Sequence, residues 1–205
     1  MKILLVDDHV IVRSGVRNLL TSMVDAQISE AANGRDALLR LRQDRPDLVL
    51  LDLNLPGIGG LELLRRMLVE DKATRILVLS MHAEPLYVAR AMELGARGYL
   101  SKNASADELL TAIRRTMDGG RYIENEIAQE LALRAVAPDH GLQDLTERDL
   151  EIMRLLAEGM SLAEIADALG IGYKTAANAC SHIKAKLGVT RTNDLVRLAM
   201  TLGVA

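Results

Sequence analysis

The sequence predicts an α/β fold, a doubly wound parallel sheet of five strands, joined to a second, all-α domain. Short apolar runs alternate with segments of helical period over the first 120 residues. The runs are apolar throughout and bounded by polar residues, as strands buried on both faces must be. Beyond the break at Pro138 to Gly141 only helical periods remain. A length of 205 residues suits two small domains, each able to bury a core.

Strands are expected near 2–7, 27–31, 48–52, 75–80 and 97–101, with helices near 9–24, 34–44, 59–70, 83–95 and 105–118. Repeated strand–helix units of this kind pack as a parallel sheet covered on both sides. Ser105 to Glu108 is a capping-box pattern that opens the fifth helix, and Gly119-Gly120 closes it, so the first domain spans 1–120. Residues 121–143 form a linker with a helix of its own, marked by Ile127, Leu131 and Ala135. The second domain spans 144–205. Capping boxes at Thr146 to Asp149 and Ser161 to Glu164 start its first two helices, and Gly159 and Gly170 stop them. A helix over 161–168, a turn through Gly170-Ile171-Gly172 and a longer helix over 173–187 make a helix-turn-helix, with a last helix over 192–202 packed on it.

Composition narrows the function. The first apolar stretch ends at Asp7 after four residues, and no run of eighteen apolar residues occurs, so neither a signal peptide nor a membrane span is expected and the protein is read as cytoplasmic. A single cysteine, Cys180, excludes an internal disulfide and is read as a small core residue. His9, His82, His140 and His182 show no metal-ligand spacing. The net charge of −3 conceals an uneven distribution: residues 141–169 carry −5 and residues 170–205 carry +4. A basic stripe beside an acidic scaffold points to nucleic acid.

Asp7, Asp8, Asp52, Ser80 and Lys102 stand at the carboxyl ends of successive strands, where an open parallel sheet forms its binding crevice. Three carboxylates at one place need a cation, since like charges at close range disfavour one another. Oxygen ligands without His or Cys spacing favour Mg²⁺. With the charge partly neutralised, Asp52 can attack phosphorus as a carboxylate nucleophile, while Lys102 and the Ser80 hydroxyl bind phosphoryl oxygens.

On Val6-Asp7-Asp8-His9, Leu51 to Gly57, Val78 to Met81 and Gly98 to Lys102, residues 1–120 resemble the receiver domain of bacterial two-component response regulators, a flavodoxin-like fold. The resemblance implies phosphorylation of Asp52 by a sensor histidine kinase, slow hydrolysis of the aspartyl phosphate, a metal shell completed by the main-chain carbonyl of Asn54, and Ser80 and Tyr99 as a switch pair. Many receivers follow the lysine with proline, whereas Lys102 precedes Asn103.

Residues 145–202 resemble the LuxR-type helix-turn-helix on Leu145 to Arg148, Leu155 to Gly159, Glu164-Ile165-Ala166, Lys174-Thr175 and Ile183 to Val189. The combination is that of the NarL/FixJ group of transcription regulators. It implies promoter DNA as a partner, a homodimer in the phosphorylated state, and no enzyme activity beyond the chemistry of the phosphoacceptor. Helical spacing buries Ala176, Ala179, Cys180, Ile183 and Leu187 and turns Lys174, Ala177, Asn178, Ser181 and Lys184 or Ala185 outward. Asn178 and Ser181 can meet base edges, and Lys174, Thr175, Lys184 and Lys186 can meet phosphates. Ala176, Ala177 and Ala179 stand where relatives often carry larger or basic residues, so one copy of this helix should hold DNA loosely. Two other functions compete with this one. A phosphohydrolase with an aspartyl nucleophile conflicts with Asp52 lying on the third strand, and a protein-interaction role or phosphorylation-independent control would follow from poor DNA binding.

Overall fold

A computed structural model of the chain describes residues 1–23, 25–81, 85–134 and 145–201. Its elements are β1 (Lys2–Val6), α1 (Val10–Met23), β2 (Gln27–Ala31), α2 (Gly34–Asp44), β3 (Leu48–Leu51), α3 (Gly60–Glu70), β4 (Arg75–Ser80) and α4 (Pro85–Leu94). There follow β5 (Gly98–Ser101), α5 (Ala106–Met117), β6 (Tyr122–Ile123), α6 (Asn125–Arg134), α7 (Glu147–Ala157), α8 (Leu162–Ala168), α9 (Tyr173–Lys186) and α10 (Thr192–Thr201).

All strands are parallel, in the order β2-β1-β3-β4-β5-β6. The order reverses between β1 and β3, which places a crevice at the carboxyl ends of those two strands. Alternate residues divide the core. Ile3, Leu5, Leu48, Leu50, Leu77, Leu79 and Leu100 pack under α1 and α5 with Leu20, Leu109 and Ile113. Leu4, Val6, Val49, Leu51, Ile76, Val78 and Tyr99 face the other way, against α2, α3 and α4. A strand covered on both sides must be apolar at every position, which explains the unbroken runs.

The sheet has six strands, one more than expected. β6 falls inside the segment read as linker: Gly98 pairs with Tyr122 and Tyr99 with Ile123. Two paired residues leave no periodic signal, so only the free edge of β5 reveals the site. The linker then turns into α6, which lies against α4 and buries Ile127 in the core. The expected Ala135 position and the break at Pro138 to Gly141 lie outside the described residues.

The capping boxes form as their spacing requires. Ser105 and Glu108, Thr146 and Asp149, and Ser161 and Glu164 exchange side-chain and backbone hydrogen bonds at the starts of α5, α7 and α8. Each satisfies donors that would otherwise lack partners at a helix start. In the carboxy-terminal unit Leu150, Ile152 and Met153 of α7, Ile165 of α8, Ile183 of α9 and Leu195 of α10 are fully buried.

That unit docks on the first through α7 and the end of α8. The Gly57 N–H donates to Ala168 O at 3.1 Å. Arg148 donates to Leu169 O at 2.9 Å and to Gly57 O at 3.4 Å. From α4, the Tyr87 hydroxyl donates to Leu150 O at 3.0 Å and Arg90 to Leu145 O at 3.1 Å. A cleft of about 540 Å³ remains between the units, lined by Ile58, Glu62, Arg66, Arg148 and Glu151 among others. Glu151 lies buried beside Gly59, where a Cβ would overlap its carboxylate.

Two predictions follow from this packing. A Cβ on Gly60 would overlap the Leu53 backbone, so Gly60→Ala is expected to cost ~1–3 kcal/mol through forced displacement of the loop, read as a lower urea midpoint. Burial raises the pKa of Glu151 against the opposing pull of Arg154 and Arg148. An acid whose folded pKa exceeds its unfolded value costs stability when ionised, and the cost fades as pH falls through the folded pKa to the unfolded one. Glu151→Gln is therefore expected to gain stability over the wild type at neutral pH and to lose that margin toward about pH 4, measured as the difference in urea midpoints.

Candidate phosphoacceptor site and nucleic-acid interface

Asp7, Asp52 and Lys102 meet at the carboxyl ends of β1, β3 and β5. The register sets Val6 beside Leu51 and Leu51 beside Val78, so the residues that follow leave the sheet side by side. Backbone bonds hold them there: Asp7 N to Ala31 O at 3.1 Å, Asp52 N to Val6 O at 2.9 Å and Lys102 N to Ser80 O at 2.9 Å. The Lys102 ammonium lies 2.6 Å from Asp52 Oδ2 and 2.7 Å from Asp7 Oδ2, with all three side chains almost wholly buried. Asn54 N–H donates to Asp52 Oδ1 at 3.0 Å, and His9 N–H to Asp7 Oδ1 at 2.8 Å. Arg13 donates to Asp7 O at 2.7 Å and pairs with Glu30, fixing the turn into α1.

Two buried carboxylates share one ammonium. Burial pushes the Asp52 carboxyl above its usual range, although bonds from Lys102 and Asn54 oppose the shift and the Asp7 charge adds to it. Burial pulls Lys102 down, but its bonds to Asp52 and Asp7 outweigh that and hold the ammonium above its ordinary value. The two shifts belong to one cluster short of positive charge: Lys102 stays ionised, and Asp52 is strained as an anion until a further cation arrives.

The surroundings can take that cation. Ligand atoms of Asp7, Asp8, His9 and Asp52 all lie within 4.8 Å of one another. Asp8 Oδ1 is buried without a hydrogen bond of proper geometry, with His9 Nδ1 2.8 Å away. Carboxylate oxygens dominate the set, as a hard divalent ion prefers. Spacing alone set His9 aside, yet the turn into α1 brings it against the carboxylates. His182 is distant in the chain on α9, and His82 and His140 lie outside the described residues.

Ser80 and Tyr99 are fully buried. Ser80 ends β4 opposite Ser101, one residue before Lys102, and Tyr99 pairs with Val78. Glu124, just past β6, reaches back to this strand: its N–H donates to Tyr99 O at 3.2 Å and its carboxylate accepts from Ser101 N–H at 2.8 Å. The linker is thus bonded to the residues on either side of Leu100.

In α9, Ala176, Cys180 and Ile183 are buried as the period requires, while Ala179 and Leu187 are only half-buried. Lys174, Thr175, Asn178 and Ser181 are exposed, and Ala177 and Lys184 are intermediate. The Ser181 hydroxyl donates back to Ala177 O at 3.0 Å. The Lys186 ammonium is bound to Asp149 Oδ2 at 2.6 Å, joining the end of α9 to the capping box of α7. The spacing of Thr146 and Asp149 signals that cap but not its second partner, which comes from a distant helix. Among the described residues no helix is long and apolar enough to cross a membrane.

Residues 3–114 match the family of response regulator receiver domains, and residues 143–199 match the bacterial regulatory proteins of the luxR family. The chain is 36% identical over 208 aligned residues to the response regulator UvrY of Escherichia coli (strain K12), covering 100% of this chain and 95% of that protein. It is similar to a two-component response regulator of the LuxR family from Aurantimonas sp. SI85-9A1, at 40% identity and a TM-score of 0.63 over 66% of this chain and 97% of that one. RcsB from Salmonella enterica serovar Typhimurium, solved bound to a promoter with phosphomimetic BeF3⁻, shares the fold at 22% identity and a TM-score of 0.72, covering 100% of this chain and 98% of that one.

Removing the shared ammonium isolates its electrostatic role. Lys102→Ala is expected to lower stability by ~3–5 kcal/mol in EDTA, because two buried carboxylates lose their counter-charge. Added Mg²⁺ should raise its melting temperature by more than it raises that of the wild type, as thermal unfolding with and without the ion would show.

Proposed function

The chain belongs to the two-component response regulators of the NarL/FixJ group and regulates transcription through a LuxR-type DNA-binding domain; on that premise we propose that Asp52 is its phosphoacceptor. The observation that carries this is the shared ammonium: Lys102 holds Asp7 and Asp52 together in a buried cluster that lacks one positive charge. The Asp52 carboxylate attacks the phosphorus of a phosphohistidine on a sensor kinase, forming the O–P bond as the N–P bond to the imidazole breaks. Asp7, Asp8, Asp52 and the main-chain carbonyl of Asn54 would hold Mg²⁺, which when bound neutralises phosphoryl oxygens. Lys102 pairs with a further phosphoryl oxygen and Ser80 donates to another. Hydrolysis of the aspartyl phosphate in the same site returns the carboxylate.

Ser80 and Tyr99 form the switch, and β4, β5 and the linker strand bonded to β5 carry it outward. The receiver occupies 1–120 and the linker 121–143, and the remainder pairs with a second copy on promoter DNA. The exposed Lys174, Thr175, Asn178 and Ser181 are the contacts, with Ala177 and Lys184 at their edge. Lys186 reaches phosphate only by leaving Asp149. The protein works in the cytoplasm.

Asp52→Asn is expected to abolish labelling by a small-molecule phosphoryl donor, and label at the wild-type rate would sink the assignment. Selection from random duplex DNA should enrich a two-fold-symmetric site, strengthened by Mg²⁺ with beryllofluoride. Enrichment of no sequence by a receiver that accepts phosphate would replace DNA with a protein partner as the output.

A further inference from the structure

The chain has no phenylalanine or tryptophan and four tyrosines. Tyr87 and Tyr99 are buried, and Tyr122 is partly covered. Tyr173 alone stands out in solvent, 60% exposed, and it belongs to neither hydrophobic cluster. It is the first residue of α9. Val10, Ile11 and Val69 are exposed as fully, so exposure alone decides nothing; a tyrosine, with an apolar ring and a polar tip, suits a surface that is part apolar and part wet.

The position narrows what the partner is. In a helix-turn-helix the amino-terminal residues of the second helix meet base edges in the major groove. Helical Cβ atoms tilt toward the helix start, so the side chain of a first residue projects beyond the first turn. Around the helix, Tyr173 shares a side with Ala177 and Lys184, four and eleven positions on, and borders the buried Cys180, seven on. This side flanks the outward face made by Lys174, Asn178 and Ser181. Ala177, one turn along, is small enough to let a base edge approach. A ring on the flank therefore meets the wall of the groove, where thymine presents its methyl group. Apolar contact is the way that methyl is read. The rest of the face is small or charged, so no other side chain on it offers comparable apolar area.

We propose that the Tyr173 ring, projecting from the start of α9, reads a thymine methyl in the major groove and sets a T·A preference at one position of each half-site. This rests on the DNA-binding reading above. Lys174 and Thr175 beside it then serve as phosphate contacts that position the helix.

The test uses the full chain with Mg²⁺ and beryllofluoride, and selected duplexes compared for wild type, Tyr173→Ala, Tyr173→Phe and Lys174→Ala. Tyr173→Ala is expected to lose the preference at one T·A position per half-site, with about tenfold weaker binding to the best site, while Tyr173→Phe keeps it. Replacing that thymine by deoxyuridine, which lacks only the methyl, should weaken wild-type binding about fourfold, the worth of one methyl-sized group, and leave Tyr173→Ala unaffected. Lys174→Ala should weaken all sequences alike. Unchanged selection by Tyr173→Ala overturns the proposal while leaving DNA binding intact. An equal loss in Tyr173→Phe, without coupling to the methyl, overturns it in favour of a hydroxyl bond to phosphate. A wild type that enriches no sequence sinks the DNA-binding reading and this inference with it.

Discussion

The grip of one ammonium on two buried carboxylates is the interaction on which the rest of the structure depends. Asp7, Asp52 and Lys102 come from three strands, and they meet only if β1, β3, β4 and β5 keep their register. A slip of one residue would turn each of those strands inside out. The apolar runs that fix the register and the polar residues that end them are thus two parts of one design. The cluster is also incomplete in charge. One cation against two buried anions leaves Asp52 poorly stabilised, and Asp8 adds a third carboxylate close by. A site in this condition favours a divalent ion, and with the ion a phosphoryl group.

Two segments lead from that cluster to the helical unit, and each is short. The loop after Asp52 reaches Gly57 within five residues, and Gly57 both donates to Ala168 and accepts from Arg148. Beyond Ser80, the first two turns of α4 bring Tyr87 and Arg90 to the carbonyls of Leu150 and Leu145. The linker makes a third connection, because β6 extends the sheet beside Tyr99. Every bond in these connections accepts at a main-chain carbonyl, with Arg148, Tyr87 and Arg90 as side-chain donors, so each senses backbone position at its accepting end. Displacement of the β3–α3 loop or of α4 by a fraction of an ångström lengthens several of these bonds together.

Much of this was legible in the sequence because it is local. Apolar runs, capping boxes and the strand-end positions of Asp7, Asp52, Ser80 and Lys102 are set by neighbours a few residues away. What escaped is what depends on distant partners. The two residues of β6 become a strand only because β5 offers a free edge. Lys186 reads as a phosphate contact on its own helix, and only the fold brings it to Asp149. The docking of Arg148 on Gly57 joins residues 91 positions apart. Tyr173 falls on neither clear face of α9, and its one signal in the sequence is the scarcity of other rings.

The contact between the units falls on α7, on the end of α8 and on the loop before α7, whereas Lys174, Thr175, Asn178 and Ser181 of α9 remain exposed. The receiver therefore holds the helix-turn-helix by its scaffold and leaves those four residues of α9 uncovered. What the contact fixes is where α9 stands relative to the receiver. For a reader that works in pairs, the separation and angle of two recognition helices decide which half-site spacing fits. A helix as small and weakly basic as this one gains most from that arrangement, since a single copy makes few phosphate contacts. On the proposed role of Asp52, a change in the loop after it would then reach DNA by resetting the position of α9, with its chemistry left unchanged.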